Sequence, residues 1–163
     1  MRTYPHAAVA CALGLRESDL AAEVSPQTVS TGTPQLMVAL RDVETLDRVQ
    51  PDVRKLFHDL DRDYFSVHVF ARRHGGEAAL CARHFADFNG IIEDPFTGSA
   101  SGGMAAYCAR YGLIDRAAYT IEQGRHAGRP GVGYIRVLGD AENIEGIEVG
   151  GEAVTVMRGT LLL

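Results

Sequence analysis

Apolar and polar residues follow each other in several short stretches that predict β-strands. The run 33–40 ends in five consecutive apolar residues, whereas 64–73 alternates apolar with polar positions and is separated from 77–85 by a His-Gly-Gly turn. A short apolar run and a period of two both indicate strands, and the turn predicts a hairpin. After residue 117, glycines divide the chain into four further β-prone runs, 118–124, 132–139, 144–151 and 152–163.

Helical patterns are fewer. Residues 7–13 predict a short helix that ends at Gly14, and a second helical turn is expected near Ser18. A surface helix with one apolar face is predicted after Pro51. That face consists of Val53, Leu56, Phe57 and Leu60.

The helix predicted at 99–111 differs from the others because it is apolar on every side. Its one strongly polar side chain is Arg110, near its end, and small residues occupy all its faces. Such a helix is buried all round, and small side chains let a sheet pack closely against its backbone. The order of strands, central helix and further strands therefore predicts an α+β fold, in which a mixed or antiparallel sheet curls around one buried central helix.

Length and charge limit the possible functions. The 163 residues suffice for one hydrophobic core and contain no repeat or linker, so we expect a single domain over 1–163. The net charge of −5 and the lack of long basic runs disfavour nucleic acid or a membrane surface as partner, and favour a small molecule or another protein. The apolar stretch 7–15 has the wrong flanks for a signal peptide, and no apolar run reaches the roughly 18 residues of a membrane span.

The cysteines and two short motifs bear on the cellular location and on possible metal or nucleotide sites. Cys11, Cys81 and Cys108 are odd in number and far apart, which disfavours a disulfide framework and favours a reducing, cytoplasmic location. Cys81 and His84 have the spacing of half a zinc site, but residues three apart on a strand face opposite sides and no second pair exists. The glycine-rich stretch 124–133 fits neither nucleotide-loop motif. We therefore expect no metal and no nucleotide.

A candidate site lies in the stretch EDPFTGSASGG, where two acids precede a turn of small residues and the central helix. The N–H groups in the first turn of a helix have no acceptor inside the helix, and the helix dipole favours an anion there. That turn consists of Thr97, Gly98, Ser99 and Ala100. In the simpler interpretation, Thr97 or Ser99 merely caps the helix. Glu93 and Asp94 favour a functional interpretation, because a carboxylate at this opening can hold a substrate ammonium group or move a proton.

The functional roles of four residues stay open. Glu93 could act as a base if burial raised its pKa, although a partner of the helix dipole is the simpler role. His126 lies in a loop expected to border the cleft, and His84 is a further candidate, although a lone histidine in a loop is more often exposed to solvent. Arg129 could pair with a ligand carboxylate or equally with a surface acid.

Three segments resemble a known family. GIIEDPFTGSASG resembles a signature of the PhzF-like family of phenazine-biosynthesis isomerases, which share the diaminopimelate epimerase fold. YTIEQGRHAGRPGVGYIRV is similar to the family's element of strand, Gln-Gly loop, Gly-Arg-Pro and strand. Residues 12–20 with 30–52 resemble, more weakly, the segment that connects the two halves of family members and opens the second. We therefore expect 1–163 to correspond to a second half, with 1–30 as a connector-like segment.

The resemblance implies roles for individual residues. Asp94 would contact the amino group of the substrate and Ser99 would stand at the helix start. The backbone at Gly98 and Ala100 would hold the substrate carboxylate. The implied chemistry is proton abstraction next to a carboxylate, with the helix N-terminus stabilising the negative charge that develops, and it requires no cofactor.

The resemblance also implies a missing part. Gln123 and Gly124 would belong to the loop that closes over the site, but the glutamate that shuttles the proton lies in the family's first half, for which this chain has no counterpart. We therefore expect a homodimer, in which each copy supplies what the other lacks, or a complementing N-terminal half. The alternatives are a catalytically inert module that binds a small molecule or a protein, and a truncated fragment of a longer enzyme.

Overall fold

A computed structural model describes residues 2–88 and 91–161. Within these ranges it contains three α-helices, two short turns of other helix types, and eight strands. The helical elements are α1 (His6–Ala12), a 3-10 turn (Glu17–Asp19), α2 (Val43–Asp47), a π-helical turn (Lys55–Asp59) and α3 (Gly98–Arg110). The strands are β1 (Gln27–Ser30), β2 (Pro34–Leu40), β3 (Ser66–Arg72), β4 (Ala78–Phe88), β5 (Ile91–Asp94), β6 (Ala118–Gln123), β7 (Gly131–Gly139) and β8 (Ile144–Gly150).

All the strands belong to one mixed sheet. Its order is β1-β2-β3-β4-β6-β7-β8, and β5 pairs with β4. The pairs β2/β3 and β4/β6 are parallel and the others are antiparallel. Because β5 and β6 pair with different parts of β4, they lie end to end on the same side of it, opposite β3.

The sheet curls around α3. This helix contacts β1 and β2 at one end of the sheet and β7 and β8 at the other, which a flat sheet would not allow. The inner face of the sheet packs on α3, and α1 and α2 cover its outer face. The inner core includes Met37, Phe70, Leu80, Met104, Tyr107 and Ile121. The outer core includes Val9, Leu13, Leu36, Val67, Val69 and Phe85.

The predicted central helix is confirmed in α3. Ala100, Met104, Ala105 and Cys108 have no exposed surface. A side chain at Gly103 would place its Cβ 2.8 Å from the Cε of Met37, so the absence of a side chain there lets the sheet approach the helix. The predicted α+β fold, with a mixed sheet curled around one buried helix, is confirmed.

Other local predictions match in part. The hairpin of β3 and β4 is present, as is the first short helix. The helix expected after Pro51 is mainly the π-helical turn, although Leu56 and Phe57 are buried as predicted. The sequence analysis missed the short helix α2. Its N-cap is Asp42, whose carboxylate accepts a hydrogen bond of 2.7 Å from the N–H of Thr45.

The last predicted strand, 152–163, is wrong where the structure describes it. Residues 151–161 form no strand and are exposed. The sequence there suits a strand, but a strand also needs a neighbour with which to pair its backbone, and a local pattern does not supply one.

The described part of the segment expected to be connector-like, residues 2–30, packs against the sheet. It supplies α1, whose Val9 and Ala10 are buried in the outer core, and β1, which pairs with β2. Among the described residues, no helix combines the length and the apolar character needed to cross a membrane.

Candidate active site

The two adjacent acids lie on opposite faces of the sheet. Both belong to β5, where Glu93 is opposite Phe85 and Asp94 is opposite His84 on β4. Successive side chains of a strand alternate between its faces. Asp94 therefore lies on the inner face with α3, and Glu93 lies on the outer face.

Glu93 forms a two-pronged ion pair with Arg83 on that outer face. The Nε and Nη2 atoms of Arg83 donate to its two carboxylate oxygens at 3.0 and 2.8 Å. Arg83 also donates to the carbonyls of Leu46 and Val49, and its guanidinium stacks 5.0 Å above the ring of Phe85. This arrangement ties α2 to the sheet. It gives Glu93 a structural partner and places it away from the helix start, so the geometry does not favour Glu93 as the base.

Asp94, Thr97 and Gln123 form a compact polar cluster at the start of α3. The Thr97 hydroxyl donates a short hydrogen bond to the carboxylate of Asp94. The side-chain amide of Gln123 donates to the carbonyl of Asp94 at 2.9 Å, and its oxygen accepts from the N–H of Thr97 at 3.3 Å. Gln123 is 2% exposed. Because Gln123 ends β6 and Asp94 ends β5, the cluster joins two strands to the helix.

At the helix start, the N–H groups of the exposed residues Gly98 and Ser99 stay open, whereas Ala100 has no exposed surface. Among the described residues, the Thr97 side chain makes no capping hydrogen bond to the first turn, and its hydroxyl donates to Asp94. The first backbone bond runs from the Ser101 N–H to the Thr97 carbonyl at 3.0 Å, so the N–H groups of Gly98, Ser99 and Ala100 have no acceptor within the helix. Gly98 and Ser99 are exposed, and a Cβ on Gly98 would meet no atom within 4 Å. The site thus combines open N–H donors with a neighbouring carboxylate.

Gly124 fixes the loop that follows Gln123. Its φ is +92°, and a Cβ there would lie 2.2 Å from the carbonyl oxygen of Arg129 and 2.4 Å from that of Pro95. Only glycine fits such an approach and such a φ. The loop after β6 is thereby held against the segment that leads into α3.

Two buried residues beside the cluster were not singled out from the sequence. Gln35 donates to the hydroxyl of Ser99 at 3.2 Å. His68 and His84 place their Nδ1 atoms 3.2 Å apart, and burial lowers the pKa of both, that of His84 to about 4. Both histidines are on the inner face, on neighbouring strands. The sequence signal of Gln35 and His68 was only that of polar residues inside apolar strands, whereas His84 was already a candidate.

The other candidates, His126 and Arg129, lie in the loop between β6 and β7. His126 is 3.1 Å from the carboxylate of Asp47, and its pKa is lowered by burial and by the charge of Arg83. A cavity of about 300 Å³ beside it is lined partly by Cys81, Glu122 and Val132. Arg129 is exposed. Within the described ranges, no three His, Cys, Asp or Glu side chains come together as metal ligands.

Comparison with known proteins gives a consistent set of matches. Residues 1–159 match the family model described as phenazine biosynthesis-like protein. The trans-2,3-dihydro-3-hydroxyanthranilate isomerase of Pseudomonas fluorescens is 34% identical over 155 residues, which are 93% of this chain and 51% of that protein. An uncharacterized isomerase of Deinococcus radiodurans is 34% identical over 158 residues, which are 94% of this chain and 51% of that protein.

A comparison of the fold with solved structures finds the same family. The crystal structure of the Bacillus anthracis phenazine biosynthesis protein of the PhzF family superposes with a TM-score of 0.75 at 25% identity, over 91% of this chain and 52% of that one. The chain therefore spans about half the length of the relatives that it matches.

Proposed function

Because the chain belongs to the phenazine biosynthesis-like family, we propose that it is one half of an isomerase or epimerase that moves a proton on a small carboxylate-bearing substrate. The N–H groups of the exposed residues Gly98 and Ser99 bind the carboxylate, and the helix dipole stabilises negative charge that develops there. Asp94 holds an amino group of the substrate or takes part in the proton transfer. No cofactor is required by this chemistry.

One observation carries the proposal: Thr97 stands at the N-cap position of α3 but makes no capping hydrogen bond, and its hydroxyl donates to Asp94. An N-cap side chain with a purely structural role would accept a hydrogen bond from an N–H of the first turn. The Thr97 side chain does not, so the first-turn N–H groups stay available beside the carboxylate of Asp94. Gln123 and Gly124 hold this arrangement together, through the amide bonds of Gln123 and the close packing of Gly124.

The relative from Pseudomonas fluorescens is named for an isomerase of a dihydro-hydroxyanthranilate, a compound with a carboxylate and an amine. Anthranilate and benzoate are therefore suitable probes, because they share the carboxylate and differ by one amino group. We propose that this chain takes amino carboxylates of that size.

The proton-transfer base is proposed to come from outside this chain. Glu93 is paired with Arg83 on the far face. A second copy or a separate N-terminal half would place its own acid across the cleft from Asp94.

The three cysteines are free, which supports a cytoplasmic location. A binding module without catalysis is the second candidate, and it would lack any acid–base group opposite Asp94 in the assembled protein.

The anion site is tested with two substitutions at one position. Ser99→Pro removes one N–H donor in the first turn, where a helix tolerates proline, whereas Ser99→Ala removes only the hydroxyl. We expect benzoate, titrated by NMR, to bind about tenfold more weakly to Ser99→Pro, since a hydrogen bond to a charged group is lost, and to change little for Ser99→Ala. Gly98→Val, which places a side chain in the open mouth, should abolish binding. Unchanged binding in Ser99→Pro and Gly98→Val would refute the site.

The role of Asp94 is tested with the same probes. Asp94→Asn removes the negative charge with little change of shape, so anthranilate should lose about tenfold in affinity while benzoate binds as well as before. Equal losses for the two ligands would contradict a contact with the amino group.

A further inference from the structure

A cavity of about 300 Å³, hereafter the outer cavity, lies on the face of the sheet opposite α3. Its floor is a row of side chains across three strands, because Cys81 on β4 is opposite Glu122 on β6, and Glu122 is opposite Val132 on β7. Cys81 belongs to the outer core, whereas Ile121, next to Glu122, belongs to the inner core. Since the side chains of a strand alternate between its faces, the whole row lies on the outer face.

The size of the outer cavity suits a small molecule. Besides the floor, it is lined by Leu46 of α2 and by the loop between β6 and β7, which contributes Arg125, His126 and Pro130. Cavities of about 150 Å³ hold benzene in other proteins, and pockets for larger ligands begin at about 300 Å³. The outer cavity therefore has room for a molecule of one or two fused rings.

The charges around the outer cavity are already matched. Among the described residues that line it, the charged side chains are Glu122 and Arg125. Glu122 accepts a hydrogen bond of 2.8 Å from Arg73, and Arg125 donates to Asp47. His126 is uncharged near neutral pH, because burial lowers its pKa. A charged ligand would therefore meet no free opposite charge here, and burying it would cost free energy.

The floor offers a hydrogen-bond acceptor between two apolar surfaces. The Oε2 atom of Glu122 is bonded to Arg73 and lies 3.9 Å from the Sγ of Cys81. A carboxylate has about four acceptor positions, so Glu122 can accept from a ligand while it keeps Arg73. Burial raises the pKa of the Cys81 thiol, so this side chain stays uncharged and presents an apolar surface beside the carboxylate.

We propose that the outer cavity is a second ligand site, which binds a neutral, flat molecule of one or two rings that carries an N–H or O–H group. The ring lies on Cys81 and Val132, and its donor bonds the carboxylate of Glu122, whose charge strengthens the hydrogen bond. This site goes beyond the proposed function. The sheet separates it from the N–H groups of Gly98 and Ser99, so the two sites bind independently.

Indole and benzofuran are a matched pair of probes, because they share one shape and only indole has an N–H group. In NMR titrations of the full chain, indole should shift the amide signals of Cys81, Glu122 and Val132 and leave those of Gly98 and Ser99 in place. Benzofuran should bind about tenfold more weakly, since it forms no hydrogen bond to the charged carboxylate. Equal affinities, or displacement of indole by benzoate, would overturn the proposal.

The acceptor is tested with Glu122→Gln, and Glu148→Gln is its control. Each removes the charge of an outer-face carboxylate that pairs with an arginine, but Glu148 is on β8 and pairs with Arg136, one strand beyond Val132. Because charged hydrogen bonds are roughly twice as strong as neutral ones, Glu122→Gln should reduce the preference for indole over benzofuran from about tenfold to about threefold. Glu148→Gln should preserve it. An unchanged preference in Glu122→Gln would refute the bond to Glu122.

Cys81 reports access to the outer cavity in the unmodified chain. Methyl methanethiosulfonate transfers its methylthio group to a thiolate, so that a new S–S bond forms and methanesulfinate leaves. Cys11 is exposed and Cys108 is buried in the inner core, so they set the fast and slow limits. Indole at about ten times its Kd should slow the modification of Cys81 about tenfold, measured by mass spectrometry, and leave Cys11 unchanged. A Cys81 that is as unreactive as Cys108, or that indole does not protect, would overturn the proposal.

Discussion

At the scale of single residues, the separation of Glu93 from Asp94 decides what each acid does. They are neighbours in the sequence, and both were expected at the same opening. Because β5 extends as far as Asp94, its alternation sends Glu93 to Arg83 and Asp94 to Thr97. One acid therefore stabilises the fold, and the other is left beside the start of α3.

The ion pair of Arg83 with Glu93 should be important for stability. The two side chains are only 9% and 16% exposed. Arg83→Met would leave the carboxylate buried without its partner and should lower the free energy of unfolding by about 3–5 kcal/mol. Glu93→Gln should cost about 1–2 kcal/mol, because Arg83 keeps its bonds to two carbonyls. Urea denaturation measures both, and equal losses would contradict the structural role given to Glu93.

At the scale of elements, the site depends on how two strands meet one helix. β5 and β6 both end at the start of α3, and Gln123 joins their ends by bonding Asp94 and Thr97. Gly124 then turns the chain through a conformation that other residues avoid. The geometry of the helix start is therefore held by a neighbouring loop.

Two glycines at this junction should respond to alanine in opposite ways. Gly124→Ala places a Cβ against two backbone carbonyls at a positive φ and should lower the free energy of unfolding by about 2 kcal/mol or more. Gly98→Ala places it in open space within a helix and should leave stability unchanged or raise it by about 0.5–1 kcal/mol. Thermal or urea unfolding tests this, and a neutral Gly124→Ala would mean that the loop relaxes freely.

At the scale of the whole molecule, the chain resembles half of longer relatives. Its sheet surrounds α3, but the open end of that helix and the segment after β8 face outward. Val154 and Val156, two residues apart in that segment, are 84% and 91% exposed. Apolar side chains that repeat every second residue suit a strand that pairs with another chain.

We expect two copies to associate through this segment. Sedimentation equilibrium over a range of concentrations should show a dimer, and Val154→Asp with Val156→Asp should convert it to a monomer. Thr155→Asp is the control, because it adds a charge to the same exposed segment without replacing an apolar side chain. A monomer at all concentrations would instead favour a separate complementing half. A dimer that both sets of substitutions leave intact would place the interface elsewhere.

The sequence by itself determined the central helix, most of the strands and the family. A helix that is apolar on every side must be buried. Alternation, short apolar runs and β-prone runs between glycines identify β2, β3, β4, β6, β7 and β8 from local information alone. The same holds for the helix start at Thr97 to Ala100, which follows from its small residues and the position of the apolar run. The strand expected after residue 151 shows the limit of such reasoning, because pairing is not a local property.

Only the tertiary structure decided which side chains meet. Gln35 reaches Ser99 across 64 residues of sequence, and Arg83 reaches α2 across more than 30. The neighbours of Asp94 depend on the register of β5 against β4, since a shift of one residue would exchange the faces of Glu93 and Asp94. The pair of His68 with His84 likewise depends on strand register, which is set by the packing of the whole sheet around α3.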